Sequence, residues 1–89
     1  MQAQMHNYNS WVTETDTQLI AIHYRVKLES AGFTILKEID YFFTPQGYTC
    51  IFLLSESHFA IHTFPEQNKS YIELSSCVKK PFDKFIKSI

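Results

Sequence analysis

The middle of the chain, residues 33–77, consists of short apolar-rich runs that turn-forming residues separate. In the first run, residues 33–43, apolar side chains occupy the odd positions except for Lys37, and this period of two predicts a β-strand. Pro45 and Gly47 then predict a turn. Three further runs predict strands over residues 48–54, 58–64 and 70–77. Strands joined by such short connections pair in antiparallel fashion, which restricts this region to an antiparallel sheet.

A helix is predicted before the strand region, over residues 16–31. Leu19, Ile22 and Val26 recur at helical spacing and are expected to form its buried face. Thr15 has the position and the residue type of an N-cap. Gly32 stands where a glycine commonly ends a helix, so we expect the helix to stop at residue 31.

A second helix follows the strands and is expected to begin at Pro81, a residue favoured at the first helical position. Apolar residues at helical spacing from Phe82 onward predict that one face of this helix is packed. Residues 8–13 are expected to add an edge strand. The order of helix, hairpin-connected strands and helix predicts an α+β fold, a two-layer sandwich in which an antiparallel sheet carries the helices on one face.

Length and charge restrict the functional classes. The 89 residues are expected to form one domain, residues 1–89, and so small a domain buries so little surface that a second subunit is expected. Eight basic against nine acidic residues argue against nucleic-acid binding through bulk charge. No apolar run reaches the roughly 18–20 residues of a membrane span. Two cysteines and no targeting signal predict a reduced, cytoplasmic location.

The densest polar cluster within apolar sequence is residues 53–66, which contain His58 and His62. On a strand these two imidazoles share a face but lie about 13 Å apart, too far for one metal ion, so no metal site is expected. A second candidate is a hydrolase site with a Ser/His or Cys/His pair. The chain lacks the usual sequence signal for such a site, since it has no Gly-x-Ser-x-Gly segment. Another interpretation also remains open, in which these residues form the polar edge of a strand and the two histidines make hydrogen bonds to neighbouring residues.

Residues 55–66, Ser-Glu-Ser-His-Phe-Ala-Ile-His-Thr-Phe-Pro-Glu, resemble the self-processing motif of the bacterial and archaeal S-adenosylmethionine decarboxylases. The upstream pattern Phe43-x-Pro45-x-Gly47-x-Thr49 and the junction at residues 31–36 are similar to segments of the same family. In that family a strand that ends in cysteine follows the motif, as it does here at Cys77. The resemblance covers roughly residues 17–77, with its anchors in order.

The resemblance implies a proenzyme that cuts itself between Glu56 and Ser57, giving a β chain of residues 1–56 and an α chain of residues 57–89. Ser57 matches the serine that attacks the Glu56 carbonyl and becomes a pyruvoyl group, the cofactor of these enzymes. His62 and Thr49 match residues that assist this rearrangement. Because an ideal strand places Ser57 and His62 on opposite faces, the Ser-Glu-Ser segment is expected to turn or bulge, which also suits a strained scissile bond.

The same resemblance implies how the processed enzyme acts. The pyruvoyl carbonyl forms a Schiff base with the substrate amine and accepts electrons as CO₂ leaves, and Cys77 matches the general acid that reprotonates the carbon. Phe43 matches an aromatic residue that stacks on adenine, and Glu66 an acidic residue near the ribose. The implied activity is the decarboxylation of S-adenosylmethionine for spermidine synthesis, carried out by a homodimer.

The sequence departs from the family pattern at several positions. Phe64 stands where tryptophan is more usual, and Val78 replaces the usual glycine after the cysteine. Residues 1–12 do not resemble the family's opening segment. Two alternatives therefore remain open. One is the same chemistry on another amino acid, such as ornithine or arginine, and the other is a non-enzymatic homologue that acts as a binding or regulatory dimer.

Overall fold

The computed structural model describes residues 3–89, and its architecture confirms the predicted α+β class. Its elements in chain order are β1 (His6–Val12), α1 (Thr17–Ala31), β2 (Ile35–Phe42), β3 (Tyr48–Leu54), β4 (Ser57–Phe64), a 3₁₀ turn (Pro65–Gln67), β5 (Lys69–Ser76) and α2 (Lys79–Lys87). The strands form one antiparallel sheet in the order β1-β5-β4-β3-β2. β1 confirms the expected edge strand.

Both helices pack on one face of the sheet, and the hydrophobic core lies between the two layers. Along β4 the inward-pointing side chains alternate, so that Ser57 and Thr63 stand at the two ends of the strand on the core side. The apolar residues with no exposed surface are Ile20, Leu28, Cys50, Phe52, Phe59, Ile61 and Phe85. Removal of this apolar surface from water is the main force that holds the helices on the sheet.

The opposite face of the sheet is uncovered in the part of the chain that the structure describes. It carries several large apolar side chains that are more than a third exposed, namely Ile39, Tyr41, Ile51, Leu53 and Phe64. Trp11 and Tyr71 lie on the same face with their ring centroids 5.2 Å apart. A contiguous exposed patch of apolar side chains is typical of an interaction surface. We call this surface the open face.

Helix α1 buries a different face from the one predicted. The predicted face, formed by Leu19, Ile22 and Val26, is more than half exposed. The residues that point into the core are Ile20, Ala21, Tyr24, Leu28 and Ala31. Apolar residues lie on both sides of this helix, so periodicity alone does not choose between them. The core side is the one with Tyr24, whose ring packs against that of Phe59 with centroids 5.1 Å apart.

Both helices begin at residues other than those predicted. Asp16, not Thr15, caps α1, because its carboxylate accepts a hydrogen bond of 2.9 Å from the Leu19 N–H. Gly32 adopts the left-handed conformation and ends α1 as predicted. α2 begins at Lys79, which places Pro81 within the first turn, where amide groups have no acceptor inside the helix. No helix within residues 3–89 is long and apolar enough to cross a membrane.

Candidate processing and active site

The predicted cleavage point lies in the tight hairpin that joins β3 to β4. Leu54 pairs with Ser57, so Ser55 and Glu56 are the two residues of the turn. Glu56 has a φ of +57°, in the left-handed region that costs a residue with a side chain about 1–2 kcal/mol. The peptide bond between Glu56 and Ser57 therefore follows a strained residue, as expected for this segment.

The carbonyl oxygen of Glu56, which belongs to that peptide bond, accepts hydrogen bonds from two donors of Cys77. The Cys77 thiol lies 3.1 Å from this oxygen, and the Cys77 backbone N–H makes a longer contact of 3.4 Å. Cys77 directly follows β5, whose pairing with β4 brings it beside the hairpin. Two donors aimed at one carbonyl oxygen stabilise the negative charge that develops there when a nucleophile attacks the carbonyl carbon.

The hydroxyl of Ser57 is buried and points towards the helix layer. It donates a hydrogen bond of 2.7 Å to the hydroxyl of Ser76, the residue opposite it on β5. Glu56, Ser57, Ser76 and Cys77 therefore form one contiguous group at one end of the sheet. We call it the hairpin cluster. It holds the predicted nucleophile, the carbonyl that the resemblance implies it attacks, and the donors to that carbonyl.

A second group of predicted site residues lies on the open face. Thr49 and His62 stand opposite each other on β3 and β4, and the Thr49 Oγ1 atom lies 2.9 Å from His62 Nδ1. The ring of Tyr71 stacks on the His62 imidazole with centroids 6.5 Å apart and an angle of 24°. These contacts hold the imidazole at a fixed orientation. Within residues 3–89, no three His, Cys, Asp or Glu side chains converge as metal ligands.

Phe43 and Glu66, the predicted substrate contacts, belong to this second group. They line a cavity of about 320 Å³ together with Thr49, His62 and Phe64. Phe43 is half exposed, so its ring face is accessible to a planar ligand. A cavity of this size lies at the lower end of the range for small-molecule sites. We call Phe43, Thr49, His62, Phe64 and Glu66 the His62 cluster.

The structure does not bring the hairpin cluster and the His62 cluster together within one chain. Ser57 and His62 are five residues apart on β4, which corresponds to about 16 Å along a strand. They also point to opposite faces of the sheet, because Ser57 is on the core side and His62 is on the open face. The predicted turn in the Ser-Glu-Ser segment is confirmed, but it precedes Ser57, leaves the alternation along β4 intact and does not bring Ser57 and His62 to one face.

Ser76 and Tyr71 contact the predicted site residues but carry no sequence signal of their own. Each belongs to β5, and each meets its partner only through the pairing of β5 with β4, in which Ser76 faces Ser57 and Tyr71 faces His62. The number of residues between the motif and the cysteine does not determine which residues of β4 and β5 face each other. Register depends on which side chains of the two strands face the core, and this is decided when the layers pack.

The two cysteines differ in environment, and this difference predicts a difference in reactivity. Burial raises the pKa of the Cys50 thiol to about 11, and the side chain has no exposed surface. Cys77 is partly exposed. In intact Ser57→Ala protein at pH 8, we expect iodoacetamide to modify Cys77 and to leave Cys50 unmodified, because the thiolate is the reacting form. Peptide mass spectrometry measures both, and the Ser57→Ala/Cys77→Ser protein is the control. Equal labelling of the two cysteines would contradict this prediction.

Comparison with known proteins gives one family. The model of the S-adenosylmethionine decarboxylase family matches residues 7–89. The S-adenosylmethionine decarboxylase proenzyme of Parasynechococcus marenigrum is 45% identical over 47 residues, which are 53% of this chain and 37% of that protein. The S-adenosylmethionine decarboxylase proenzyme 2 of Bacillus cereus is 37% identical over 62 residues, which are 70% and 50% of the two chains. The chain thus spans half or less of the length of these relatives.

A solved structure is similar over nearly the whole chain. The crystal structure of the adenosylmethionine decarboxylase from Aquifex aeolicus superposes with a TM-score of 0.69, covering 98% of this chain and 81% of that one at 20% identity. At this level of identity the similarity shows that the two chains share a fold. The family match covers more than nine-tenths of the sequence, from β1 to α2, and includes both clusters. The chain belongs to the S-adenosylmethionine decarboxylase family.

Proposed function

We propose that this chain is the proenzyme of a pyruvoyl-dependent S-adenosylmethionine decarboxylase that cuts itself between Glu56 and Ser57. The observation that supports this most directly is the pair of Cys77 donors on the Glu56 carbonyl oxygen, next to the buried Ser57 hydroxyl. The chain's relatives are named S-adenosylmethionine decarboxylase proenzymes. The product of such an enzyme supplies the aminopropyl group for spermidine synthesis.

Self-cleavage begins when Ser57 Oγ attacks the Glu56 carbonyl carbon. The C–O bond forms, the C–N bond breaks, and the hydroxyl proton ends on the freed amine, which leaves an ester. Removal of the Cα proton of residue 57 then breaks the Cβ–Oγ bond and releases residues 1–56 with a C-terminal carboxylate. The dehydroalanine at position 57 tautomerises to an imine, and water hydrolyses it to a pyruvoyl group and ammonia.

The surroundings of Glu56 favour the first of these steps. Attack turns the carbonyl oxygen into an oxyanion, and the thiol and N–H of Cys77 already point at that oxygen. The left-handed backbone of Glu56 raises the energy of the uncleaved chain, and cleavage removes the constraint that the tight turn places on it. His62, held by Thr49, is proposed to handle protons during the rearrangement.

The proposed roles in decarboxylation use the same residues. The pyruvoyl group supplies an electron sink for the carbanion that forms as CO₂ leaves. The Cys77 thiol lies next to residue 57 and is placed to return a proton to the substrate carbon as a general acid. Phe43 is proposed to stack on the adenine ring and Glu66 to bind the ribose hydroxyls, since both line the cavity beside His62.

The proposal includes a homodimer, because one chain does not complete the site. If two open faces pack about a two-fold axis with their strands antiparallel, the hairpin end of one sheet, where Glu56 is exposed and Cys77 is partly exposed, meets the end of its partner that carries His62. The exposed apolar residues Ile39, Ile51 and Leu53 would then be buried between the sheets. We also propose a cytoplasmic location, where a reducing environment keeps the Cys77 thiol free.

Substrate choice is tested by CO₂ release from carboxyl-labelled compounds. We expect the processed protein to release CO₂ from S-adenosylmethionine at least about 100-fold faster than from ornithine or arginine, which have no adenosine to contact Phe43 and Glu66. Phe43→Ala should raise the KM about tenfold through lost stacking. Phe42→Ala is the matched control, since its ring packs on Tyr48 instead. Faster release from ornithine or arginine would contradict the proposed substrate.

A further inference from the structure

The hydroxyl of Ser57 has one hydrogen-bonding partner within residues 3–89, and the resemblance to the family assigns that partner no role. This partner is Ser76, whose Oγ atom accepts the Ser57 hydroxyl at 2.7 Å. Ser76 has no exposed surface and lies directly opposite Ser57 in the pairing of β4 with β5. The rotamer of the proposed nucleophile is therefore set by the position of the Ser76 oxygen.

Ser76 does not need Ser57 to satisfy its own polar groups. Its oxygen accepts a hydrogen bond of 2.9 Å from the Val78 N–H, and its hydroxyl donates one of 3.1 Å to the Val78 carbonyl. A serine hydroxyl has one proton and two acceptor lone pairs, so one lone pair remains after these contacts. Ser57 uses that lone pair. Burial of Ser76 alone accordingly does not explain why its oxygen is aimed at Ser57.

Val78 fixes the position of the Ser76 hydroxyl. It is the N-cap residue of α2, and its carbonyl oxygen accepts from the Phe82 N–H at 3.4 Å. The hydroxyl of Ser57, the hydroxyl of Ser76 and the carbonyl of Val78 thus form a chain of hydrogen bonds that ends on a packed helix. The hydrogen bonds in such a chain polarise one another, which shifts electron density towards the Ser57 oxygen.

We propose that Ser76 is a positioning residue for self-cleavage. It turns the Ser57 O–H bond away from Glu56, which leaves the lone pairs of Ser57 Oγ free to attack the Glu56 carbonyl carbon. His62 does not fill this role within the same chain, because it lies on the opposite face of the sheet about 16 Å along β4. This inference rests on the proposed self-cleavage and adds a residue to its first step.

The test compares the rate of cleavage in three variants, followed by the mass of the denatured protein. Ser76→Ala should slow cleavage at least about tenfold, and Ser76→Thr, which keeps the hydroxyl, should restore the rate to within about threefold of the unaltered chain. Ser70→Ala is the matched control: Ser70 is equally buried on the same face of β5, and its hydroxyl donates to the Glu14 carbonyl at 2.7 Å. It should lose stability without slowing cleavage.

Hydroxylamine shows whether a variant stalls before or after the acyl shift. It cleaves esters, so it would release fragments from a variant that stalls after the acyl shift. We expect it not to accelerate Ser76→Ala, because the ester does not accumulate when Ser57 is misplaced. If Ser76→Ala does not fold, Ser76→Cys replaces it, since a thiol is a weaker acceptor of similar size.

The results distinguish this inference from the proposed function. Cleavage of Ser76→Ala at the rate of Ser70→Ala, or its release by hydroxylamine, would overturn the role of Ser76 and leave self-cleavage intact. Absence of cleavage in the unaltered chain, which is measured first, would overturn the proposed function and the role of Ser76 with it.

Discussion

Replacement of Ser57 by alanine should keep the chain in one piece, whereas the unaltered chain should separate into residues 1–56 and 57–89. The reason is that the proposed attack on the Glu56 carbonyl uses the oxygen of Ser57, the residue that directly follows this carbonyl, which Cys77 contacts. The measurement is the intact mass of denatured protein over time. The expected difference is complete cleavage against none.

The mass of the second fragment makes this test specific. A fragment that begins with a pyruvoyl group is lighter by one ammonia than the fragment that simple hydrolysis would leave. Ser55→Ala is the matched control, because Ser55 lies in the turn directly before the cleavage point but is exposed. It should cleave at the normal point. A single uncleaved mass for the unaltered chain would favour the non-enzymatic alternative, and cleavage of Ser57→Ala would show that Ser57 is not the nucleophile.

Two inactive variants should restore cleavage when they are produced together. The proposed dimer places the hairpin end of one chain beside the His62 cluster of its partner, since about 16 Å along β4 separates Ser57 from His62 within one chain. Ser57→Ala and His62→Ala should each stay uncleaved alone. In a mixed dimer, the chain with His62→Ala still has its Ser57 and receives His62 from its partner.

The expected result is quantitative. With equal amounts of both chains and random pairing, about half of the His62→Ala chains belong to mixed dimers and should be cleaved, while Ser57→Ala chains stay intact. Chains of different mass, through a tag on one of them, make the products identifiable. The control replaces His62→Ala by His58→Ala, which lies on the same strand and face and should cleave alone. If His62→Ala alone is uncleaved and mixing changes nothing, the site is not shared between chains.

Local sequence predicted the fold well where one physical cause dominated. The alternation along residues 33–43, the turn residues around Pro45 and Gly47, and Gly32 at the end of α1 each act over a few neighbours, and the structure confirms the elements they predict. The buried face of α1 was predicted wrongly, because Leu19, Ile22 and Val26 form as regular an apolar stripe as the residues that are buried. The sheet selects between such stripes, and a single helix does not contain that information.

The motif at residues 55–66, with Cys77 downstream, indicated the family and the candidate residues, because these residue types and their spacing match the family's pattern. Tertiary structure alone decided their grouping. Pairing of β5 with β4 aims Cys77 at the Glu56 carbonyl and Ser76 at Ser57. Alternation along β4 sends His62 to the other face, with Thr49 and Tyr71. Strand register is fixed when the core packs, so residue order specified the participants, and packing specified which of them meet.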